Sequence, residues 1–332
     1  MPDTTANCLN RRDILAGGAY AALLAGAGQA LAQSPSVDDI PIIDAHIHLF
    51  DGTRPQGAGY MGSPAYRAIS KVSLPSGYRP LATPTGIVGA VVVESSNWIE
   101  DNLWYLEVAQ ADPIIVGVSG SLDPGKPEFA EYLGRYHKNP LYRGIRFSRF
   151  HHQEDAKTVL NPDMVANLKL LAQADLVLDT ANPSMPLMQA NVLLADAIPD
   201  LRIIMDHLPS FDPTPDNQQA YEAVIREMAM RPNIFVKLTE VYHPLADGTV
   251  PTDYEKLRAR LEYLFDAFGE DRVIFGTDYP NSYGVATIPQ EVSLVKKFFA
   301  TKPRATAEKY FWKNSARAYK WIKRAPNQPS MT

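Results

Sequence analysis

Short runs of apolar and β-branched residues alternate with longer amphipathic segments along most of the chain. Several runs, such as Gly86–Glu94 and Arg202–His207, are apolar at nearly every position, which is typical of parallel strands covered on both faces. Eight runs are predicted to be strands: Ile40–Phe50, Gly86–Glu94, Ile114–Leu122, Tyr142–Ser148, Leu176–Thr180, Arg202–His207, Ile234–Thr239 and Arg272–Thr277.

The segments between these runs carry apolar residues three and four positions apart, which predicts amphipathic helices. They include Ile99–Ala111, Pro127–His137, Pro162–Ala174, Ala220–Met230 and Tyr254–Phe268. Strand and helix in repeated alternation predict an α/β fold, a (β/α)8 TIM barrel formed as a single domain by residues 40–323. A doubly wound sheet is the alternative, but no G-x-G-x-x-G phosphate loop follows any predicted strand.

The amino-terminal 32 residues differ in composition from the rest. Arg11 and Arg12 precede a stretch rich in Ala, Gly and Leu, and an A-x-A sequence follows at 30–32, which is the order of a signal peptide. The sequence N-R-R-D-I-L-A resembles a twin-arginine export signal. Residues 1–32 are therefore expected to engage the export machinery and to leave the mature protein in the periplasm. A membrane anchor is the alternative, but the stretch is short and weakly hydrophobic, so stable membrane insertion is not expected.

Three further segments stand apart from the predicted barrel. Residues 33–39 are expected to be a linker, and residues 324–332 a disordered tail. The long first loop, Asp51–Pro84, shows little periodicity, and loops of that length inside compact domains are often lids. Cys8 is the only cysteine and lies in the predicted signal, so the mature chain is expected to have no disulfide and no cysteine-ligated metal.

The charge balance limits the classes of partner. Lys and Arg total 32 against 37 Asp and Glu, a formal net charge of -5, so no general positive field would attract nucleic acid. An anionic ligand must be bound by local basic residues. The mature protein is expected to be a monomer or a small homo-oligomer.

Ionisable residues follow the apolar run of the first predicted strand, which ends in Asp44, His46 and His48. Alternate residues of a strand share a face, so these three side chains are expected to project together into the barrel mouth. A lone histidine at a strand end is usually structural. Three ionisable groups on one face, in a chain with 7 histidines, indicate a functional site.

Two more clusters end other predicted strands. Asp206-His207 ends the sixth strand, and Asp278 follows the eighth in the sequence G-T-D-Y-P. The carboxyl ends of the strands carry the active site in this architecture, so His207 and Asp278 are expected beside the histidines of the first strand. The alternative for Asp278 is a helix N-cap.

The sequences D-A-H-I-H, D-H and G-T-D-Y-P on these three strands resemble the amidohydrolase superfamily. R-G-I-R-F-S on the fourth strand and V-E-S-S-N after the second resemble the branch of 2-pyrone-4,6-dicarboxylate hydrolase and 4-sulfomuconolactone hydrolase. This resemblance implies a hydrolase of aromatic-compound catabolism that opens a small anionic lactone by direct attack of an activated water. Asp278 is then expected to accept the proton of the water, and His207 to polarise the ester carbonyl.

The resemblance also implies a metal site. A binuclear site is not expected, because the fifth strand offers Asp179 and no histidine, and Arg146 of the fourth strand cannot ligate a cation. One divalent metal, Zn²⁺, is expected on His46, His48 and Asp278, with water in the open position. Since the pyrone-dicarboxylate branch resembles enzymes that work without metal, metal-free catalysis is the alternative. Asp44 is expected to give structural support.

The densest basic cluster of the chain follows the fourth strand, between Arg143 and His152. Arg146 lies near the strand end and is expected to face the pocket, where a guanidinium suits planar capture of a carboxylate or sulfonate. Further contacts to substrate are expected from Arg149, His152, Ser95, Asn97 and Tyr283. A solvated basic loop is the alternative for Arg149 and His152.

Two other functions remain open at this point. Zinc-dependent decarboxylases of the same superfamily use a similar set of histidines and aspartate on carboxylated rings. A non-catalytic periplasmic protein could also use the barrel mouth as an anion pocket. The clustered ionisable residues favour an enzyme over a binding protein.

Overall fold

Each apolar run of the sequence forms a strand where it was predicted. A computed structural model describes residues 36–96, 98–207, 216–242, 244 and 249–331. In chain order its strands are β1 (Ile42–Ile47), β2 (Phe50–Asp51), β3 (Val72–Ser73), β4 (Ile87–Val93), β5 (Ile115–Gly120), β6 (Tyr142–Arg146), β7 (His151–Glu154), β8 (Lys157–Leu160), β9 (Val177–Thr180), β10 (Arg202–Met205), β11 (Ile234–Lys237) and β12 (Val273–Ile274). The predicted signal at residues 1–32 and the predicted substrate contact Asn97 lie outside the described residues.

Eight of these strands form one parallel sheet in the order β1-β4-β5-β6-β9-β10-β11-β12. Backbone hydrogen bonds join the two ends of this sheet: Ala45 N donates to Phe275 O at 3.0 Å, and Asp278 N donates to His46 O at 2.9 Å. The sheet therefore curls into a barrel. The prediction of a single-domain (β/α)8 TIM barrel is confirmed.

The amphipathic segments form helices around this barrel. In chain order they are α1 (Pro64–Arg67), α2 (Pro75–Ala82), α3 (Asp101–Ala111), α4 (Phe129–Tyr136), α5 (Pro162–Gln173), α6 (Met185–Ala197), α7 (Gln218–Ala229), α8 (Tyr254–Phe268), α9 (Ile288–Phe299), α10 (Arg304–Glu308) and α11 (Asn314–Tyr319). Several begin at sequence signals. Thr287, for example, forms a capping box with Gln290 at the start of α9, with proline in the first turn. Within the described part of the chain, every helix is too short or too polar to cross a membrane.

Two insertions shape the mouth of the barrel. The long loop after β1 contains α1, α2 and the antiparallel pair β2–β3. The basic segment after β6 forms an antiparallel hairpin, β7–β8, in which His151 pairs with Leu160. The sequence indicated only a loop here, because polar residues on an exposed hairpin leave no apolar period.

The prediction that the chain is disordered after Lys323 is wrong for residues 324–331. Gln328 is 2% exposed, and its Nε2 donates to the carbonyls of Val88 (3.0 Å) and Pro113 (2.8 Å). Arg324 Nη1 donates to Ile115 O at 2.9 Å. The polar composition suggested disorder, but these side chains supply donors to carbonyls at the amino ends of β4 and β5, which must be satisfied when buried.

Candidate active site

Four of the predicted site residues meet at the carboxyl ends of three barrel strands. His46 lies in β1, whereas His48 follows β1, His207 follows β10 and Asp278 follows β12; each is at most 3% exposed. The Nε2 atoms of His46 and His48 lie 3.2 Å apart. Asp278 Oδ1 lies 3.4 Å from His46 Nε2 and 3.1 Å from His48 Nε2. The rings of His46 and His207 are 4.6 Å apart between centroids.

The backbone at the strand ends directs these side chains. His207 and Asp278 have φ of 71° and 55°, in the left-handed region that few non-glycine residues adopt and that is enriched at active sites. Gly276, two residues before Asp278, allows the strands to approach closely. A Cβ there would lie 2.8 Å from His46 Cβ and 2.9 Å from Thr239 Cγ2, so the glycine of G-T-D-Y-P is required by packing.

Asp44 does not project into the mouth with the two histidines, and that expectation is corrected here. Its Oδ2 accepts hydrogen bonds from Tyr78 Oη (2.7 Å) and Thr277 Oγ1 (2.6 Å). Tyr78 belongs to α2, a helix outside the barrel that contacts α9. The strict alternation fails because the register of β1 against β4 shifts between Asp44 and Ile47.

The far side of each histidine ring is hydrogen-bonded to a different kind of group. His48 Nδ1 lies 2.9 Å from the carbonyl oxygen of Val93. His207 Nδ1 lies 2.8 Å from Thr239 Oγ1. His46 Nδ1 lies 3.3 Å from Lys237 Nζ. A carbonyl only accepts hydrogen bonds and an ammonium only donates them. The Nδ1 atoms of His48 and His46 therefore face groups of opposite hydrogen-bonding character.

Burial and neighbouring charges determine which of these groups are ionised. Burial, reinforced by Lys237 and His207, holds the pKa of His46 well below its usual value. Burial also lowers the pKa of His207 to about 3, so this ring is neutral at pH 7. Burial alone would raise the pKa of Asp278, but the neighbouring side chains of His207 and His48 lower it to about 2. The site therefore offers a carboxylate beside neutral imidazoles.

Asp278 has two further partners. Asn281 Nδ2 donates to its Oδ2 at 2.9 Å, and Tyr60 Oη donates in turn to Asn281 Oδ1. Glu240, at φ 55°, is hydrogen-bonded to Asp278. Burial, with the charge of Asp278 and this hydrogen bond, raises the pKa of Glu240 to about 8, so Glu240 carries a proton at pH 7 while Asp278 does not. Glu240 stands in no recognised motif and was not predicted from the sequence.

A charged network under the histidines was also missed. Lys237 on β11 is fully buried, and its Nζ lies 2.9 Å from Asp179 Oδ1 and 2.7 Å from Asp206 Oδ1. Asp179 also accepts hydrogen bonds from Ser119 and Tyr319. The sequence did contain a signal for this network, namely the lysine inside the apolar run Ile234–Thr239. A charged residue in a buried strand needs a partner of opposite charge.

A cavity of about 700 Å³ opens beside His48, and its lining also includes Tyr60, Ser95, Arg146 and Arg149. The structure thus places three of the predicted substrate-binding residues, Ser95, Arg146 and Arg149, around one space. Two others are not among its lining residues: His152, whose side chain is 56% exposed, and Tyr283, whose ring lies edge-on to Tyr66.

The two arginines of the cavity differ in their partners. Arg146 Nε lies 3.6 Å from Asp206 Oδ2, and its Nη1 donates to Glu94 O at 3.4 Å. The guanidinium of Arg149 lies 5.2 Å from the ring centroid of Phe147. Ser95 Oγ donates to Leu49 O at 2.7 Å, so it faces the cavity with its hydrogen already engaged.

The donor atoms of the site have the spacing of metal ligands. Ligands about 2.0 Å from a tetrahedral Zn²⁺ are separated by about 3.3 Å, and the three distances among His46, His48 and Asp278 are 3.2, 3.4 and 3.1 Å. One ligand atom from each of His46, His207 and Asp278 also lies within 4.8 Å of the others. This cluster of histidines and aspartate can hold a metal ion.

Histidines and carboxylates gathered at the carboxyl ends of parallel strands define an enzyme of the (β/α)8-barrel class. The chain belongs to the amidohydrolase family, whose model matches residues 43–321. The resemblance seen in the sequence is therefore confirmed.

Two relatives have named activities. The L-fucono-1,5-lactonase of Burkholderia multivorans is 25% identical over 285 residues, which cover 82% of this chain and 94% of that protein. The L-fucono-1,5-lactonase of Burkholderia ambifaria is 25% identical over 240 residues, 72% of this chain and 80% of that protein.

Solved structures share the fold. A zinc-bound amidohydrolase from Burkholderia multivorans aligns with a TM-score of 0.71 and 23% identity, over 85% of this chain and all (100%) of that one. A putative 2-pyrone-4,6-dicarboxylic acid hydrolase from Pseudomonas putida aligns with a TM-score of 0.65 and 16% identity, over 85% and 98%. A dihydroxybenzoic acid decarboxylase from Polaromonas aligns with a TM-score of 0.59 and 15% identity, over 86% and 98%. At these identities the likeness shows the fold alone.

Proposed function

We propose that this chain is a hydrolase that opens a small lactone by direct attack of water. The observation that carries the proposal is the buried, ionised carboxylate of Asp278, which accepts a hydrogen bond from Asn281 and lies 3.1 Å from His48 Nε2, two residues that line the polar cavity. Such a carboxylate can orient a water and accept its proton. The relatives named as lactonases support a lactone as the substrate class.

The first chemical step is addition of water to the ester carbonyl. Asp278 takes one proton of the water while its oxygen forms a bond to the carbonyl carbon. When Thr239 donates its hydroxyl hydrogen to Nδ1 of His207, the Nε2–H of that ring is left to donate to the developing oxyanion. His207 is neutral, so it stabilises the charge by hydrogen bonding and keeps its proton.

The second step is ring opening. The tetrahedral intermediate collapses, the bond between the carbonyl carbon and the ring oxygen breaks, and the ring oxygen takes the proton that Asp278 accepted. Lactone and water become a hydroxy acid, and Asp278 returns to the carboxylate form. A divalent metal bound by His46, His48 and Asp278, for which the donor set suits Zn²⁺, would supply electrophilic polarisation of the carbonyl.

We further propose that the lactone carries a carboxylate or a sulfonate, as in pyrone-dicarboxylate and sulfomuconolactone substrates of aromatic catabolism. Arg146 and Arg149 support this proposal, because both line the cavity of a chain whose net charge is -5. A guanidinium in a partly buried cavity binds such groups through charge-assisted hydrogen bonds. Export by the paired arginines at the amino terminus, and hence a periplasmic location, also belongs to this proposal.

The test is a panel assay with the purified protein. Anionic lactones, their methyl esters and neutral sugar lactones are incubated with enzyme, and acid release and products are measured. We expect a hydroxy acid from an anionic lactone, formed at least about a hundredfold more slowly by Asp278→Asn. Release of carbon dioxide from a carboxylated ring would instead indicate a decarboxylase, and tight binding without turnover would indicate a binding protein.

A further inference from the structure

Lys237 contacts the ring nitrogen of His46 that is opposite Asp278. Its Nζ lies 3.3 Å from His46 Nδ1, 2.9 Å from Asp179 Oδ1 and 2.7 Å from Asp206 Oδ1. All four side chains are fully buried. The Lys237 side chain therefore lies between two carboxyl groups, and its ammonium form has three N–H donors and no acceptor.

The ammonium fixes the position of the hydrogen on His46. A neutral imidazole carries one hydrogen, and Nδ1 must be the bare nitrogen in order to accept from Lys237. The hydrogen of His46 therefore lies on Nε2, which faces His48 Nε2 at 3.2 Å and Asp278 Oδ1 at 3.4 Å. In this tautomer His46 is a donor toward Asp278.

His48 has the opposite arrangement. Its Nδ1 faces the carbonyl oxygen of Val93 at 2.9 Å, so Nδ1 carries a hydrogen, and in the neutral ring Nε2 is then the bare nitrogen. A bare nitrogen with a carbonyl behind the ring is the usual arrangement of a histidine that ligates a metal. The two histidines of the H-x-H motif thus differ: His48 is ready to ligate, whereas His46 must first move its hydrogen.

That rearrangement is disfavoured in this site. With its hydrogen on Nδ1, His46 would point an N–H at the Lys237 ammonium, and Asp206 Oδ1 is 3.7 Å from Nδ1, beyond hydrogen-bonding distance. We propose that Lys237 is a positioning residue that keeps the hydrogen of His46 on Nε2 and thereby weakens metal binding by His46, His48 and Asp278. The proposal concerns the metal affinity of the resting site and does not depend on which substrate the enzyme hydrolyses.

The first experiment reads the tautomers directly. Long-range ¹H–¹⁵N NMR spectra of the metal-free, full-length protein distinguish bare from hydrogen-bearing ring nitrogens, and His46→Gln assigns the signals of His46. We expect the hydrogen on Nε2 in His46 and on Nδ1 in His48. A hydrogen on Nδ1 of His46 in the wild-type protein would overturn the proposal, and this measurement needs no Lys237 variant to fold.

The second experiment measures Zn²⁺ affinity by calorimetry and Co²⁺ binding by visible absorption. The double variant Lys237→Gln/Asp206→Asn removes one positive and one negative charge together and places an amide oxygen where the ammonium stood. We expect Zn²⁺ to bind at least about tenfold more tightly, the size of effect seen for groups behind metal-ligating histidines. The hydrogen of His46 should move to Nδ1 in the same variant.

Tyr319→Phe is the matched control. It removes the hydrogen bond from Tyr319 to Asp179 in the same buried network but leaves Lys237 beside His46. Its Zn²⁺ affinity and its His46 tautomer should match those of the wild type. Unchanged or weaker Zn²⁺ binding in the folded double variant, or tighter binding in both variants, would show that Lys237 does not control the site through His46.

Discussion

The hydroxyl of Thr277 donates a hydrogen bond of 2.6 Å to Asp44 Oδ2, and this bond joins the first barrel strand to the segment after the last. Asp44 Oδ1 accepts two more hydrogen bonds, from the backbone N–H groups of Thr277 (2.9 Å) and His46 (3.1 Å). Asp44 therefore stabilises the junction where the barrel closes, and it does so directly beneath the histidines of the site.

We expect Thr277→Val to destabilise the protein by about 1 to 3 kcal/mol, because it leaves a buried carboxylate oxygen without one of its donors. The measurement is urea denaturation followed by circular dichroism. Thr301→Val is the control, since Thr301 is exposed and its hydroxyl donates to the nearby carbonyl of Phe298, and it should change stability by less than about 0.5 kcal/mol. Equal effects of the two variants would contradict a structural role for the Asp44–Thr277 bond.

Asp278→Asn should lower turnover of an accepted lactone by at least about two orders of magnitude, because the amide is nearly isosteric but cannot take a proton. His207→Ala should lower turnover similarly through loss of the oxyanion donor. His152→Gln is the control, since this histidine is exposed and does not line the cavity. Near-normal turnover by Asp278→Asn would mean that another group is the base.

The export proposal has its own test. Replacing Arg11 and Arg12 together by Lys should trap full-length precursor in the cytoplasm, whereas the wild-type chain should appear in the periplasm with a mature amino terminus near Gln33. Immunoblots of cell fractions and amino-terminal sequencing give both results. Efficient export of the doubly substituted chain would exclude the twin-arginine route.

Most of the fold could be predicted because its signals are local. The length and apolar content of runs such as Gly86–Glu94 and Arg202–His207 locate the barrel strands, and their alternation with amphipathic segments gives the architecture. The meeting of His46, His207 and Asp278 then follows, since the carboxyl ends of parallel strands share one face of the barrel.

The remaining features depend on non-local structure. The orientation of Asp44 depends on a register shift in β1, which no sequence period reveals. The pairing of Lys237 with Asp179 and Asp206 joins three strands, and their order around the barrel had first to be known. The ordered segment around Gln328 is polar in sequence and is held by carbonyls distant along the chain.

A pH dependence of stability is expected from Glu291, which lies on α9 and is 5% exposed. Burial, with the nearby carboxylates of Asp44 and Asp278, raises the pKa of Glu291 well above its usual value. Because the folded pKa is the higher one, the stabilisation is fully present below the unfolded pKa, near 4.5, and is lost as pH rises through the folded pKa.

Glu291→Gln is neutral at every pH and should escape this loss. The unfolding free energy of the variant minus that of the wild type should therefore increase as the pH is raised from 5 to 9, in denaturant titrations at each pH. Glu128→Gln, on the exposed surface, controls for general charge effects and should show no such trend. A difference between Glu291→Gln and wild type that is constant with pH would mean that burial does not keep Glu291 protonated.

Arg146 has two candidate roles, recognition of an anionic substrate and support of the fold. Its Nε lies 3.6 Å from Asp206 Oδ2, a contact that would support the fold, whereas the side chain is 16% exposed and lines the cavity beside His48. If Arg146 binds a substrate carboxylate or sulfonate, Arg146→Met should lower kcat/KM for an anionic lactone by roughly tenfold to hundredfold, which corresponds to about 1.5 to 3 kcal/mol for a charge-assisted contact. Arg146→Lys keeps the charge but loses the planar fork, and its loss should be smaller but measurable.

The methyl ester of the same lactone decides between the two roles. It lacks the negative charge, so the wild type and Arg146→Met should hydrolyse it at nearly the same kcat/KM if recognition is the function of this residue. Arg149→Met is the matched variant, because Arg149 lines the same cavity but lies against Phe147 instead of Asp206. Equal losses on both substrates with Arg146→Met would assign Arg146 to support of Asp206, and a charge-selective loss confined to Arg149→Met would move anion recognition to Arg149.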